Sequence, residues 1–206
     1  QKAMSILSAA FFAFPQDEMN TIAITGTKGK TTTAYFIYDG IKQATNQKTA
    51  LFSTVNTVLG PNEIFKSHLT TPESLDLFKN MRKAVDNGMK NLVMEVSSQS
   101  LKLSRVAGCE FDMAVFTNLA EDHISSKEHP DMEDYFNSKL KLFKMCKLGI
   151  VNVDDIHGVM IPKLVPETKI KTYGIDNHCD LLAKDITVTN QCAELPFLCL
   201  RSWPKR

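Results

Sequence analysis

Residues 24–33 read Ile-Thr-Gly-Thr-Lys-Gly-Lys-Thr-Thr-Thr, a composition suited to holding phosphate. Gly26 and Gly29 admit backbone conformations that side chains resist, so successive N–H groups can converge on anionic oxygens. Lys30 adds a positive charge to the turn, and Thr31 adds a hydroxyl of the kind that ligates a phosphate-bound Mg²⁺. A helix opening here would aim its positive end at the same point. The spacing departs from the common G-x-x-x-x-G-K-[ST] loop, since only Thr27 and Lys28 separate the two glycines, and the string alone would also suit an ordinary turn. The flanks favour phosphate. Thr21–Thr25 reads as a strand, and Thr32–Lys42 sets Ala34, Ile37 and Ile41 at helical intervals.

Other residues could act beside this loop. Glu95 interrupts the apolar run Asn91–Val96, and a carboxylate there needs a metal or a basic residue close by, or else marks a salt-bridged strand end. His123, after Asp122, offers an imidazole beyond another strand. Lys139 falls on a helix candidate that also carries Lys141 and Lys144, so its position alone equally fits a solvated face. Ser97-Ser98 could donate hydroxyls to a substrate or cap a helix, and Thr70-Thr71-Pro72-Glu73 could do either as well. Arg105 suits an anion clamp or a surface charge.

The elements that must position these groups alternate. Strand-like runs at Asn91–Val96, Phe111–Thr117 and Gly149–Val153 lie between helical patterns at Glu73–Asn87 and Asp131–Met145. That order predicts an α/β fold with a doubly wound, mainly parallel sheet and helices on both faces. Ligands in such sheets bind beyond the carboxyl ends of the strands. The glycine-lysine loop, Glu95-Val96-Ser97-Ser98 and Thr117-Asn118 all fall at such ends and should meet. The chain has 206 residues, 43% hydrophobic and 23% charged, enough for one domain with a real core. A net charge of +1 gives no electrostatic case for nucleic acid or a membrane surface. Five cysteines without a C-x-x-C pair read as thiols of a reducing compartment, and no run is long enough to cross a bilayer. Met4–Phe14 reads better as a helix or linker than as a signal peptide, so the expected location is cytoplasmic.

Five segments in order carry a family resemblance: Gly-Thr-Lys-Gly-Lys-Thr-Thr (26–32), Leu-Thr-Thr-Pro-Glu-Ser (69–74), Met-Glu-Val-Ser-Ser-Gln (94–99), Phe-Thr-Asn-Leu-x-x-Asp-His (116–123) and Glu-His-Pro-Asp-Met-Glu-Asp-Tyr-Phe-x-x-Lys (128–139). Together they resemble the central, ATP-binding domain of the Mur ligases, nearest the lysine-adding tripeptide synthetases of streptococci and their relatives. The resemblance implies ATP-dependent activation of the terminal carboxylate of UDP-MurNAc-L-Ala-D-Glu, followed by attack of an amino acid's amine, L-lysine by whole-motif similarity. It also implies roles. Gly26, Thr27, Lys28, Gly29, Lys30, Thr31 and Thr32 would cradle ATP. Thr31, Glu95, His123 and Lys139, the last as a CO₂-derived carbamate, would hold Mg²⁺, with Lys30, Glu95, His123 and Lys139 forming the catalytic set. Thr70, Thr71, Ser97 and Arg105 would bind the dipeptide substrate. Lys28 stands where many of these ligases have Asn, Gln99 where His is frequent, and Leu103 where a substrate-binding Gln can stand.

Domain expectations follow from the same resemblance. Residues 1–18 would be a linker or remnant of an N-terminal UDP-binding domain, and 19–194 the central domain. Residues 195–206 would be an atypical tail, with the C-terminal ligase domain absent, as in a truncated or frameshifted chain. The isolated chain is then expected to be a poorly active monomer. A folylpolyglutamate synthetase-like ligase, another Mur ligase or a non-catalytic nucleotide-binding remnant are the alternative readings.

Overall fold

The computed structural model describes residues 1–46, 48–122, 124–125, 128–184, 186–188, 193–194 and 197–200. Its elements run α1 (Lys2–Phe11), a 3-10 turn at Pro15–Glu18, β1 (Asn20–Thr25), α2 (Lys30–Ala44), β2 (Thr49–Phe52), β3 (Asn56–Gly60), β4 (Glu63–Lys66), α3 (Ser74–Asp86) and β5 (Asn91–Glu95). They continue with α4 (Ser98–Lys102), β6 (Phe111–Phe116), α5 (Met132–Phe143), β7 (Cys146–Asn152), α6 (Ile156–Leu164) and β8 (Lys169–Gly174), then β9 (Leu181–Lys184), β10 (Thr187–Val188), β11 (Ala193–Glu194) and β12 (Phe197–Leu200).

Ten strands form one sheet in the order β12-β9-β8-β7-β6-β1-β5-β2-β3-β4. The seven from β9 to β2 are parallel, and the edges turn antiparallel, at β12 on one side and through β3 and β4 on the other. The expected doubly wound α/β fold is therefore present, with an antiparallel hairpin added that the strand-helix alternation did not indicate. Crossover connections place helices over both faces, so the central strands are buried on two sides and read as continuous apolar runs. One face packs Ala23, Met94 and Phe116 against Leu77, Phe78, Met81 and Phe143 of α3 and α5. The other packs Ile24, Val93 and Val115 against Ala34 and Tyr38 of α2. Neighbouring residues of β1 thus serve opposite cores, as the two-residue period of a strand requires.

The segment read as a helix or linker is α1, and it packs on α3. It buries Ser5, Ser8 and Ala9 and leaves Met4, Leu7 and Phe11 exposed. Small residues face inward because the contact is close: a Cβ on Gly108 would lie 2.9 Å from that of Ala9. Ser5 Oγ also donates to Arg105 O at 2.8 Å and accepts from Gly108 N at 3.2 Å, tying α1 to the turn after α4. At the far end Asp154 accepts the backbone N–H groups of Ile175, Asp176 and Asn177, which closes the β8–β9 connection. Cys109 and Cys146 are free thiols. No helix among the described residues is long and apolar enough to cross a membrane.

Candidate active site

β1 lies between β5 and β6, so three strand ends meet at one edge: the loop after Thr25, Glu95 with Ser97, and Thr117-Asn118. Gly26 has φ +156, and a Cβ there would collide with Thr117 Oγ1 and stand 3.2 Å from both Asn118 N and O. Gly29, at φ +79, is the N-cap of α2. Thr27 N donates to Asn118 O and Lys28 N to Asn118 Oδ1, both at 2.9 Å. Thr117 Oγ1 and Asn118 Nδ2 donate back to Lys28 O at 2.9 and 3.1 Å. The loop is thereby fastened to the end of β6. No side chain caps α2, so its first N–H groups have no side-chain acceptor. Thr31 and the exposed Thr32 follow on its first turn.

Lys30 folds back over the loop, donating from Nζ to Gly26 O and Thr27 O at 3.0 Å each. Burial lowers its proton affinity, the charge of Glu95 acts against that, and Lys28 adds to the lowering. Lys28 itself points outward and pairs with Asp122 at 2.7 Å.

Glu95 is fully buried at the end of β5. Its hydrogen-bond partner is Thr54, which donates its N–H to Oε1 at 2.8 Å and lies with Oγ1 3.1 Å from Oε2. Charge comes from Lys30, as an electrostatic neighbour. Nothing in the sequence singles out Thr54, because it becomes a partner only when β2 pairs with β5. Thr70 Oγ1 lies 3.1 Å from the Thr54 hydroxyl. Thr71 is buried, donating to Glu95 O and accepting from Ser97 N at 3.0 Å each, so its hydroxyl locks the strand end. Ser97 caps α4, accepting from Ser100 N at 3.1 Å. Arg105 reaches Thr71 O at 3.4 Å and Glu73 at 2.5 Å, while its buried Nε has no hydrogen-bond partner among the described residues.

Lys139 is not on a solvated face. It is 2% exposed, donates to Gly26 O at 2.8 Å and stands 4.4 Å over the ring of Tyr135. Burial brings its pKa down to about 7; the positive charge of Lys30 adds to the shift and Asp122 opposes it. Sequence reasoning missed the residues that hold it. Tyr135, one helical turn earlier, places its hydroxyl 3.1 Å from Thr27 Oγ1. His129, fully buried, links Asp134 Oδ2 at 2.6 Å to Ser98 Oγ at 2.9 Å, and its ring lies 4.9 Å from that of Tyr135. The i, i+4 spacing of Tyr135 and Lys139 was the available signal. His123 lies outside the described residues.

These contacts enclose a cavity of about 170 Å³. Gly26, Lys30, Thr70, Thr71, Ser97, Arg105 and Lys139 line it together with Ser98, His129 and Tyr135. Seven sequence-predicted residues therefore share one wall, while Glu95 lies buried beside them and Thr31 and Thr32 sit at the helix start, outside that lining.

A doubly wound sheet carrying a glycine-lysine loop between β1 and a helix defines an α/β domain of the nucleotide-binding type. The family follows from residues 24–202, which match the Mur ligase middle domain: the chain belongs to the Mur ligase family. It is 55% identical over 174 residues to the UDP-N-acetylmuramyl-tripeptide synthetase of Latilactobacillus sakei, covering 81% of this chain and 34% of that one. It is 48% identical over 180 residues to that of Lactococcus lactis subsp. cremoris, covering 86% and 37%. The chain thus spans about a third of the length of these curated relatives. Among solved structures, a UDP-N-acetylmuramoyl-L-alanyl-D-glutamate–2,6-diaminopimelate ligase superposes with a TM-score of 0.79 at 26% identity, over 93% of this chain and 40% of that one. A MurF ligase from Thermotoga maritima in complex with ADP, at 18% identity and a TM-score of 0.59 over 90% and 40%, shares the fold.

Proposed function

We propose that this chain is the ATP-binding core of a tripeptide-forming ligase of peptidoglycan precursor synthesis, acting in the cytoplasm on UDP-MurNAc-L-Ala-D-Glu and L-lysine. In that reaction the terminal carboxylate of the dipeptide attacks the γ-phosphorus of ATP and ADP leaves. The amine then attacks the activated carbonyl, phosphate leaves, and the amine loses a proton. The observation that carries the reading is the shared cavity, which the loop cation Lys30, the anion-seeking Arg105 and the desolvated Lys139 all line.

The residues fit the groups this chemistry requires. Gly26 leaves no room for a side chain because the end of β6 packs on it, Gly29 has open space beside it, and the start of α2, which carries no side-chain cap, offers N–H donors to a phosphate chain. Lys30, now on two carbonyls, is within a side-chain rotation of the same spot. Thr31, Glu95 and His123 would supply oxygen and nitrogen donors for Mg²⁺, which would neutralise phosphate charge when bound. A neutral amine near pH 7 is the form that reacts with CO₂, so Lys139 suits a carbamate, an anion that would ligate metal where an ammonium cannot. Thr70, Thr71, Ser97 and Arg105 would orient the dipeptide. Lysine as the added amino acid rests on motif similarity to lactic-acid-bacterial relatives. We read the chain as a monomer made of a central domain at 19–194 with flanking segments.

Calorimetric titration of Mg-ATP into the purified chain, with Lys30→Ala alongside, tests the reading. Saturable binding lost in the variant is expected. Binding unchanged in Lys30→Ala would remove the phosphate loop from the proposal.

A further inference from the structure

A second cavity, of about 310 Å³, lies between the β3–β4 hairpin and α3. Thr57, Phe65, His68 and Lys79 contribute to its lining, and Leu69 borders both this cavity and the one at the phosphate loop. Glu73 lines the outer cavity and Arg105 the inner one, and the two are joined by the 2.5 Å ion pair. The partition between the cavities is therefore made partly of a breakable contact.

Two further observations bear on this pair. Arg105 keeps a buried Nε without a hydrogen-bond partner among the described residues, although a guanidinium fork satisfies Nε and Nη together when a carboxylate docks along its edge. Glu73 Oε1 pairs with it at Nη2. Glu73 is also the N-cap residue of α3, yet its side chain makes no capping hydrogen bond. The helix start beside it, with N–H groups in want of an acceptor, offers the carboxylate a place to go once Arg105 is taken.

We propose that Glu73 is an internal carboxylate that occupies Arg105 until a carboxylate of the ligand replaces it, and that the exchange joins the two cavities into a single trough. The ligand class is then an elongated molecule with a carboxylate at Arg105 and its remainder running under the β3–β4 hairpin. The identity of that ligand as an acyl-alanyl-glutamate rests on the function proposed above.

The test is an NMR titration following the Arg105 Nε–Hε signal in the full 206-residue chain. The probes are N-acetyl-L-alanyl-D-glutamate and its uncharged diamide. Removing one half-exposed competitor should tighten the dicarboxylate roughly two- to tenfold in Glu73→Gln. Glu73→Ser, which keeps a good helix cap, should show the same gain, and neither variant should alter the response to the diamide. Equal or weaker binding by both variants, or an equal gain for the diamide, would overturn the exchange. Mg-ATP titrated into the same samples separates the two ideas. Retained nucleotide binding with a silent Arg105 sinks the exchange and leaves the ligase reading standing. A responsive Arg105 without nucleotide binding does the reverse.

Discussion

Replacing Lys139 with methionine should change how stability depends on pH. The amine titrates near 10.5 in the unfolded chain and at about 7 in the native state, because folding removes it from water. Between those values the unfolded chain binds a proton that the native chain does not. Native stability therefore rises with pH, by up to about 1.4 kcal/mol per unit, and this contribution is lost as pH falls toward 7. With half protonation of the native amine at pH 7, the gain from pH 7 to pH 9 comes to about 2 kcal/mol. Below pH 7 both states carry the proton and the dependence flattens. Lys139→Met removes the titrating group without orphaning its acceptor, since Gly26 O keeps the bond from Lys30. The assay is urea denaturation of both proteins in CO₂-free buffer at half-unit steps from pH 6 to 9, taking the difference in unfolding free energy. The difference curve should climb toward high pH in favour of the lysine protein. A flat curve would mean that the native amine remains hydrated and charged, and the argument from burial would be wrong.

Gly26→Ala should cost about 2–5 kcal/mol, from left-handed backbone strain plus collision with Thr117, and should abolish Mg-ATP binding; a melting temperature like that of the parent would refute the close approach. Asn118→Ala removes the side-chain bonds to Lys28 N and Lys28 O and should destabilise by about 1–2 kcal/mol, while weakening nucleotide binding at the loop, both readable in one calorimetric series. His129→Phe leaves Asp134 and Ser98 without the imidazole and should cost about 1–3 kcal/mol, with His129→Gln recovering part of it in denaturant titrations.

The glycine-lysine loop between β1 and α2 was legible because its evidence is local: glycine spacing, an adjoining cation, and a strand and helix on either side. The same holds for β5, β6 and α5, whose patterns match the observed elements to within a few residues at their ends. The meeting of the loop, Ser97 and Thr117-Asn118 also followed from the rule that parallel sheets gather their ligands at one edge. Residues whose roles depend on distant pairing were not legible. Thr54 serves Glu95 across strands β2 and β5, and His129 joins two helices through Asp134 and Ser98. Lys139 shows the limit most plainly, since its helix also carries Lys141, with Lys144 at the C-cap, and only packing under the loop decides which one is dehydrated. The β3–β4 hairpin was missed because its strands are short and β4 is largely exposed, so neither alternation nor an apolar run marks them.

The place of β1 between β5 and β6 also governs the order in which the molecule can be made. Thr21 is bonded to Asp112, ninety-one positions later, and the loop's own amides rest on Asn118. A growing chain that has left the ribosome only as far as α3 contains every residue of Gly26–Thr32 but none of the strands that flank β1. Closing so long a connection costs chain entropy before any contact returns it. Nucleotide can therefore assist folding only late, after Lys139 has emerged, when a native loop exists to bind it. Until then the apolar residues of β1 have no sheet to enter, which makes the first strand synthesised the one that must wait longest for its neighbours.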